Sequence, residues 1–155
     1  MRPEDIKQVG VVGGGVMGGG IAQIHAIAGY QVTIMDISQQ VIDDTRHEVV
    51  DGKWGIKRSV EKGKLGFDNA VSAIDLIAYT TDNNDLSECD LIIEAVPENL
   101  ELKQEVFAEL DKVIKPSAMF ASNTSGFVIQ EIAEKIWVLP SRNSLRNDRT
   151  RETEV

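Results

Sequence analysis

Gly13, Gly15 and Gly18 stand at G-x-G-x-x-G spacing, between the β-branched run Val9, Val11, Val12 and an apolar stretch beginning at Ile21. Asp36 follows 18 residues after Gly18, close to the roughly 20 that separate such a turn from a ribose-binding acid. Glycines at this spacing suit one task, holding a diphosphate by backbone alone. Gly13 turns the chain sharply out of a strand, Gly15 leaves no side chain in the way of a pyrophosphate, and Gly18 lets a helix pack close to a sheet. The first-turn N–H groups of that helix lack intrahelical partners and lie at the positive end of its dipole. An anion can bind there without a basic side chain, and no lysine occurs between Lys7 and Lys53. Asp36, ending a second strand, can accept both hydroxyls of an adenosine ribose and would repel a 2′-phosphate, so NAD is preferred over NADP. The plainer alternative is a glycine-rich turn that only packs a helix on a sheet.

Those residues need strands to end beside one another. After Asp36, Ser38 can cap a helix from Gln39, with Val41, Ile42, Thr45 and Val49 as its stripe. Gly52 and Gly55 interrupt it, Lys57 to Lys64 is basic, and Asn69 to Ile77 carries a short apolar pattern. A strand is predicted at Ile77, Tyr79, Thr80 and Thr81, and a buried one at Leu91 to Val96. Leu102, Val106, Phe107, Leu110, Val113 and Ile114 recur at helical spacing before Pro116. Met119 to Ser122 reads as a further strand, and Val128, Ile129, Ile132, Ala133 and Ile136 as a last helix. This alternation predicts an α/β fold of Rossmann type: a doubly wound, mainly parallel sheet with helices on both faces. Residues 1–136 form that domain. Residues 137–155 are polar, carry Arg142, Arg146, Arg149 and Arg151, and read as a disordered, solvated tail.

Composition narrows the partners. A net charge of −9 over 155 residues argues against nucleic acid and anionic membrane. Cys89, the only cysteine, can form no internal disulfide and no metal cluster. No apolar run approaches a membrane span, and the start lacks the pattern of a secretory signal. A cytoplasmic setting is expected.

Two more strings fall at strand ends, where an open α/β sheet places its ligands: EAVPENLELK from Glu94 to Lys103, and ASNTS from Ala121 to Ser125. Together with GGGVMGGGIAQ they strongly resemble the cofactor domain of the NAD-dependent 3-hydroxyacyl-CoA dehydrogenases, over Gln8 to about Ile136. The resemblance implies that Gly13, Gly14, Gly15, Val16, Met17, Gly18 and Asp36 contact the diphosphate and ribose of NAD. It implies that Val96, Pro97, Glu98 and Lys103 lie beside the ribose and nicotinamide side. Ser125 resembles the serine that meets both NAD and the acyl-CoA substrate, with Asn123 beside it, and Lys62 resembles a lysine that holds the CoA moiety. Gly55 stands where the family has serine or asparagine. Other readings of the same residues are an exposed loop and first helical turn for Glu98 and Lys103, a helix cap for Ser125, and a solvated surface lysine for Lys62.

The family oxidises a (3S)-hydroxyacyl-CoA to the 3-oxo thioester by hydride transfer, in fatty acid metabolism, with a histidine as base. By the resemblance that histidine is due near position 146, where this chain has Arg146; arginine keeps its proton and cannot serve. His25 reads as a packed helix residue and His47 as a solvated one. The family's helical C-terminal domain, with its homodimer contacts, has no counterpart here. The change in character at Ile136 is what a frameshift, an aberrant splice or a truncated gene would leave. The expected function is therefore an NAD-binding domain of such a dehydrogenase, inactive alone; the alternative is a non-catalytic NAD-binding module.

Overall fold

The computed structural model describes residues 2–134. The expected tail at 137–155, the Ile136 end of the last helix and position 146 lie outside the described residues. Five parallel strands make one sheet in the order β3-β2-β1-β4-β5. They are β1 (Gln8–Val12), β2 (Gln31–Met35), β3 (Ile77–Thr80), β4 (Leu91–Glu94) and β5 (Met119–Ser122). The helices are α1 (Val16–Ile27), α2 (Gln39–Asp51), α3 (Ile56–Glu61), α4 (Phe67–Asp75), α5 (Leu100–Val113) and α6 (Ile129–Ala133). Strand order reverses between β1 and β4, where Val11 is opposite Ile34 on one side and Ile93 on the other. That reversal opens the crevice in which a doubly wound sheet binds ligands.

Alternation along the central strands builds two cores. Val9 and Val11 of β1, with Val32 and Ile34 of β2, face Ala22 and Ala26 of α1, Ile42 and Val49 of α2, and Ala70 and Ala73 of α4. Val12 and Met35 turn the other way, toward Ile92, Phe107, Leu110, Phe120 and Ile132. Successive strand residues point to opposite faces, so one β-branched run serves both layers. Phe107 and Phe120 meet edge to face, with ring centroids 5.5 Å apart, the favoured arrangement for the ring quadrupoles. Cys89 is buried in this second core, and burial pushes its thiol up to about 11.

The Rossmann reading and helix cover on both faces are borne out. Two helices exceed the expectation: α3 occupies part of the basic run and α4 the apolar pattern after it. The short 3-10 turn Asn83–Leu86 is also additional. Conversely, β4 stops at Glu94, although Ala95 still donates to the Val12 carbonyl at 2.8 Å. Ser38 caps α2 as expected, accepting from the Val41 N–H at 3.3 Å. Ser125 does not cap α6: the cap position is Val128, with no side-chain bond. Among the described residues no helix is long and apolar enough to cross a membrane, and no cluster of potential metal ligands occurs.

Candidate functional site

The glycine turn lies where β1 and β4 diverge. Gly13 adopts φ +102° and donates its N–H to the Met35 carbonyl at 2.8 Å. A side chain there would be strained and would also meet Ala95 backbone at 2.8 Å. Gly18 is required by proximity: a Cβ on it would fall 1.8 Å from the Gly13 carbonyl oxygen. By contrast, a Cβ on Gly15 would meet no protein atom within 4 Å. The space over Gly15 is open to a ligand, and helix α1 presents its uncapped N-terminus there, with no side-chain bond to its first turn. Val16 and Met17 point outward, 93% and 57% exposed. This is the cradle that a diphosphate needs.

Asp36 stands at the carboxyl end of β2. One carboxylate oxygen accepts from the Gly14 N–H at 2.9 Å and the other from the Ser38 N–H at 3.1 Å. Each carboxylate oxygen can accept a second bond, so the two remaining lone-pair positions are available to a diol. Thr45 on α2, read in the sequence only as a position in the helix stripe, supports the turn from behind; its buried hydroxyl lies against the Gly14 and Val41 carbonyls. In a trans peptide the carbonyl and the following N–H point opposite ways. Fixing the Gly14 carbonyl toward Thr45 therefore turns the Gly15 N–H outward.

The strands on the other side of the reversal carry a second cluster. Glu94, at the end of β4, and Lys103, in the first turn of α5, are both fully buried, with 0% exposure. The Lys103 ammonium reaches Glu94 Oε1 at 2.8 Å, Glu98 Oε2 at 3.1 Å and the Val96 carbonyl at 3.2 Å. Glu94 also accepts from the Val96 N–H at 2.7 Å and from the Ser122 hydroxyl. Glu98 Oε1 accepts from the Thr124 hydroxyl, the Gly126 N–H at 2.9 Å and the Ser125 N–H at 3.3 Å. The loops after β4 and β5 are thus tied together. Reading Lys103 as an exposed first-turn lysine is corrected by its burial; its ammonium is enclosed behind the loop and has three protein acceptors. Nothing in the spacing separates a buried lysine from a solvated one, but an acid inside an apolar strand, Glu94 after Leu91-Ile92-Ile93, was a readable sign that a cation must approach it.

The Thr124 hydroxyl, the Gly126 N–H and the Lys103 ammonium hold the Glu98 carboxyl down at about 2, below its ordinary 4.5. Asp90, before β4, is raised by burial, but Lys115 and the Gln8 and Lys7 N–H groups outweigh that and bring it to about 2. Both carboxyls titrate lower in the folded chain than in the unfolded one. Their stabilisation is present above about pH 4.5 and is lost as pH falls toward 2. Thermal melts should show a midpoint that declines steadily below pH 4.5, and Glu98→Gln should flatten part of that decline.

Other expected residues are scattered more widely. Lys62, exposed at the end of α3, has its ammonium 5.3 Å from the centroid of the Trp54 ring, and Lys53 lies 5.4 Å from the same ring. Trp54 lines a cavity of about 300 Å³ together with Gly14, Gly15, Thr45 and Glu48, which connects this aromatic group to the glycine turn. His25 is half-buried on α1, with Nδ1 2.7 Å from the Ile21 carbonyl, and His47 is exposed on α2. Both belong to the helices covering the β1–β2 face, away from the β4–β5 loops.

Known proteins share this arrangement. The family model for the NAD-binding domain of 3-hydroxyacyl-CoA dehydrogenase matches residues 8–141. The chain is 43% identical over 129 residues to a 3-hydroxybutyryl-CoA dehydrogenase of Mycobacterium tuberculosis, covering 83% of this chain and 44% of that protein. It is 36% identical over 135 residues to a peroxisomal fatty acid beta-oxidation multifunctional protein of Arabidopsis thaliana, covering 87% of this chain and 18% of that one. The crystal structure of (S)-3-hydroxybutyryl-CoA dehydrogenase from Ralstonia eutropha superposes with a TM-score of 0.78 at 35% identity, over 84% of this chain and 45% of the other. The chain therefore spans less than half the length of these relatives. Sheet order, glycine turn and sequence agree: the chain belongs to the 3-hydroxyacyl-CoA dehydrogenase family, in which it matches the NAD-binding domain, and its cofactor is NAD.

Proposed function

We propose that this chain is the dinucleotide-binding half of a 3-hydroxyacyl-CoA dehydrogenase, folded over residues 1–136, and that it binds NAD without completing the reaction alone. The observation that carries this reading is the uncapped N-terminus of α1 above an open Gly15, with Asp36 at the adjoining strand end. In the proposal, Gly13 to Gly18 hold the diphosphate and Asp36 accepts the adenosine ribose hydroxyls. A dinucleotide lies across the reversal of strand order. With its adenosine half over β2, its nicotinamide half falls over the loops after β4 and β5, beside Val96, Pro97, Glu98, Lys103 and Ser125, with Asn123 next to that serine.

Bound NAD supplies the hydride acceptor. The chain's own groups orient it and meet the acyl-CoA substrate: Ser125 at the acyl thioester, with Asn123 beside it, and Lys62 at the CoA moiety. The proposed acyl-CoA oxidation requires a proton acceptor at the β4–β5 loops; among the described residues the histidines are His25 on α1 and His47 on α2.

Titration with NAD, NADP and acetoacetyl-CoA, and incubation with acetoacetyl-CoA and NADH together, test the assignment. NAD binds more tightly than NADP in the wild type, and Asp36→Ala narrows that gap by roughly 10- to 100-fold, matching a charge-assisted bond of about 1.5–3 kcal/mol. Equal affinities in the wild type would remove the role given to Asp36. Turnover of acetoacetyl-CoA by the chain alone would show a complete enzyme and defeat the half-site reading.

A further inference from the structure

We infer that Thr45 is a positioning residue for the diphosphate cradle: its hydroxyl locks the Gly14–Gly15 peptide against rotation, so that an N–H and not a carbonyl meets the ligand. This rests on the placement of the diphosphate over Gly13 to Gly18 proposed above. The middle residue of the glycine motif is itself glycine in this chain. The peptide between Gly14 and Gly15 is therefore flanked by two residues with no side chain to limit its rotation. Each peptide of the turn is held from outside instead. The Gly14 N–H, in the peptide from Gly13, donates to Asp36 at 2.9 Å. The Gly14 carbonyl, in the peptide to Gly15, accepts from Thr45. Thr45 also occupies the space that a side chain at position 14 would need, since a Cβ there would lie 2.7 Å from its hydroxyl oxygen.

A hydroxyl has one proton to donate, and two carbonyls lie against this one. The Val41 carbonyl, 2.6 Å away, is one turn back on α2 and receives the main-chain N–H of Thr45 in the helix ladder. The Gly14 carbonyl precedes Gly15, the cap of α1, and stands outside that helix's ladder. The proton therefore serves Gly14. Thr45 and Gly14 are buried, whereas Gly15 is exposed. Without its donor, the Gly14 carbonyl becomes a buried acceptor with a desolvation cost and no bond to offset it. Rotating the Gly14–Gly15 peptide relieves that cost by carrying the oxygen to the exposed side over Gly15. The carbonyl and the next N–H point opposite ways, so the same rotation withdraws the Gly15 N–H and turns a carbonyl dipole toward the phosphates.

Titration with ADP and with adenosine, which lacks the diphosphate, tests this lock in Thr45→Val, Thr45→Ala and Thr45→Ser. Valine keeps the shape without the proton, alanine lacks both, and serine keeps the proton while losing the methyl group that faces Gly19. Thr45→Val and Thr45→Ala are each expected to lose about tenfold in ADP affinity, with adenosine within about threefold of wild type because Asp36 keeps its own bonds. Thr45→Ser is expected to bind ADP within about threefold of wild type. Equal weakening of both ligands would mean a general loosening of the packing and overturns the proposal. So does unchanged ADP affinity in Thr45→Val and Thr45→Ala, or a loss confined to Thr45→Val, the mark of a misplaced methyl group. A serine variant as impaired as the alanine one overturns it too. Wild-type chain that binds neither ADP nor NADH refutes the cofactor site itself, a failure seen before any variant is made.

Discussion

Gly18→Ala is expected to destabilise the chain by about 3 kcal/mol and to abolish detectable NADH binding. The added Cβ would sit 1.8 Å from the Gly13 carbonyl oxygen and 3.0 Å from its carbon. Both obstacles are backbone, so no rotamer change relieves the overlap. Gly13 cannot retreat, because its turn at φ +102° is already packed against Ala95. Helix α1 must instead move off the sheet, opening the contacts of Ala22 and Ala26 and displacing the N–H groups that face the diphosphate. Gly20→Ala provides the contrast. Its Cβ would meet nothing within 4 Å, and the gain in helix propensity, up to about 1 kcal/mol, should stabilise the chain. Urea unfolding of both variants, with NADH titration, checks the pair. A Gly18→Ala protein as stable as wild type would contradict the close packing described.

Lys103→Met alone is expected to cost about 3–5 kcal/mol, because it leaves Glu94 charged and without water. For a domain of this size that lowers the thermal midpoint by roughly 10 °C or more. The cost belongs to the stranded carboxylate, not to the lost attraction. Adding Glu94→Gln should therefore recover most of the stability, since replacing a buried pair is commonly near neutral where removing one partner is not. Calorimetry of the two variants decides this; equal melting losses in the single and double variants would show that Lys103 matters through its packing, not its charge.

Most of the fold was legible because apolar spacing controls it. Val9, Val11 and Val12 already imply a strand covered on both faces, and Leu102, Phe107 and Leu110 imply a helix with one buried side. Helices α3 and α4 were less legible. Their caps are Gly55 and Gly66, neither of which contributes a side-chain bond, and α3 buries Ile56 fully with Val60 only half-buried against the core. A six-residue helix with one fully buried anchor and one half-buried neighbour leaves little periodicity to detect. On the adenosine side, Gly13, Gly15, Gly18 and Asp36 were readable because main-chain geometry demands those residue types at fixed separations. The other half of the site was not. Lys103 has the spacing of an ordinary first-turn lysine, and only the sheet, by setting β4 beside β5, brings Glu94, Ser122 and Thr124 around it. Thr45 was visible as part of an apolar stripe, while its bond to Gly14 depends on how α2 lies against the turn.

Strand β4 is bracketed by acids with a lysine opposite each. Asp90, just before it, pairs with Lys115 beyond the end of α5 at 2.7 Å and also accepts from the Lys7 and Gln8 N–H groups. Glu94, its last residue, pairs with Lys103 near the start of α5. Leu91, Ile92 and Ile93 between them are interchangeable enough for the strand to slide by two residues at modest hydrophobic cost. The bracketing charges forbid such sliding, since any shift would part both ion pairs at once. Alignment of β4 is thus encoded electrostatically, and the helix behind it acts as the ruler against which that alignment is measured.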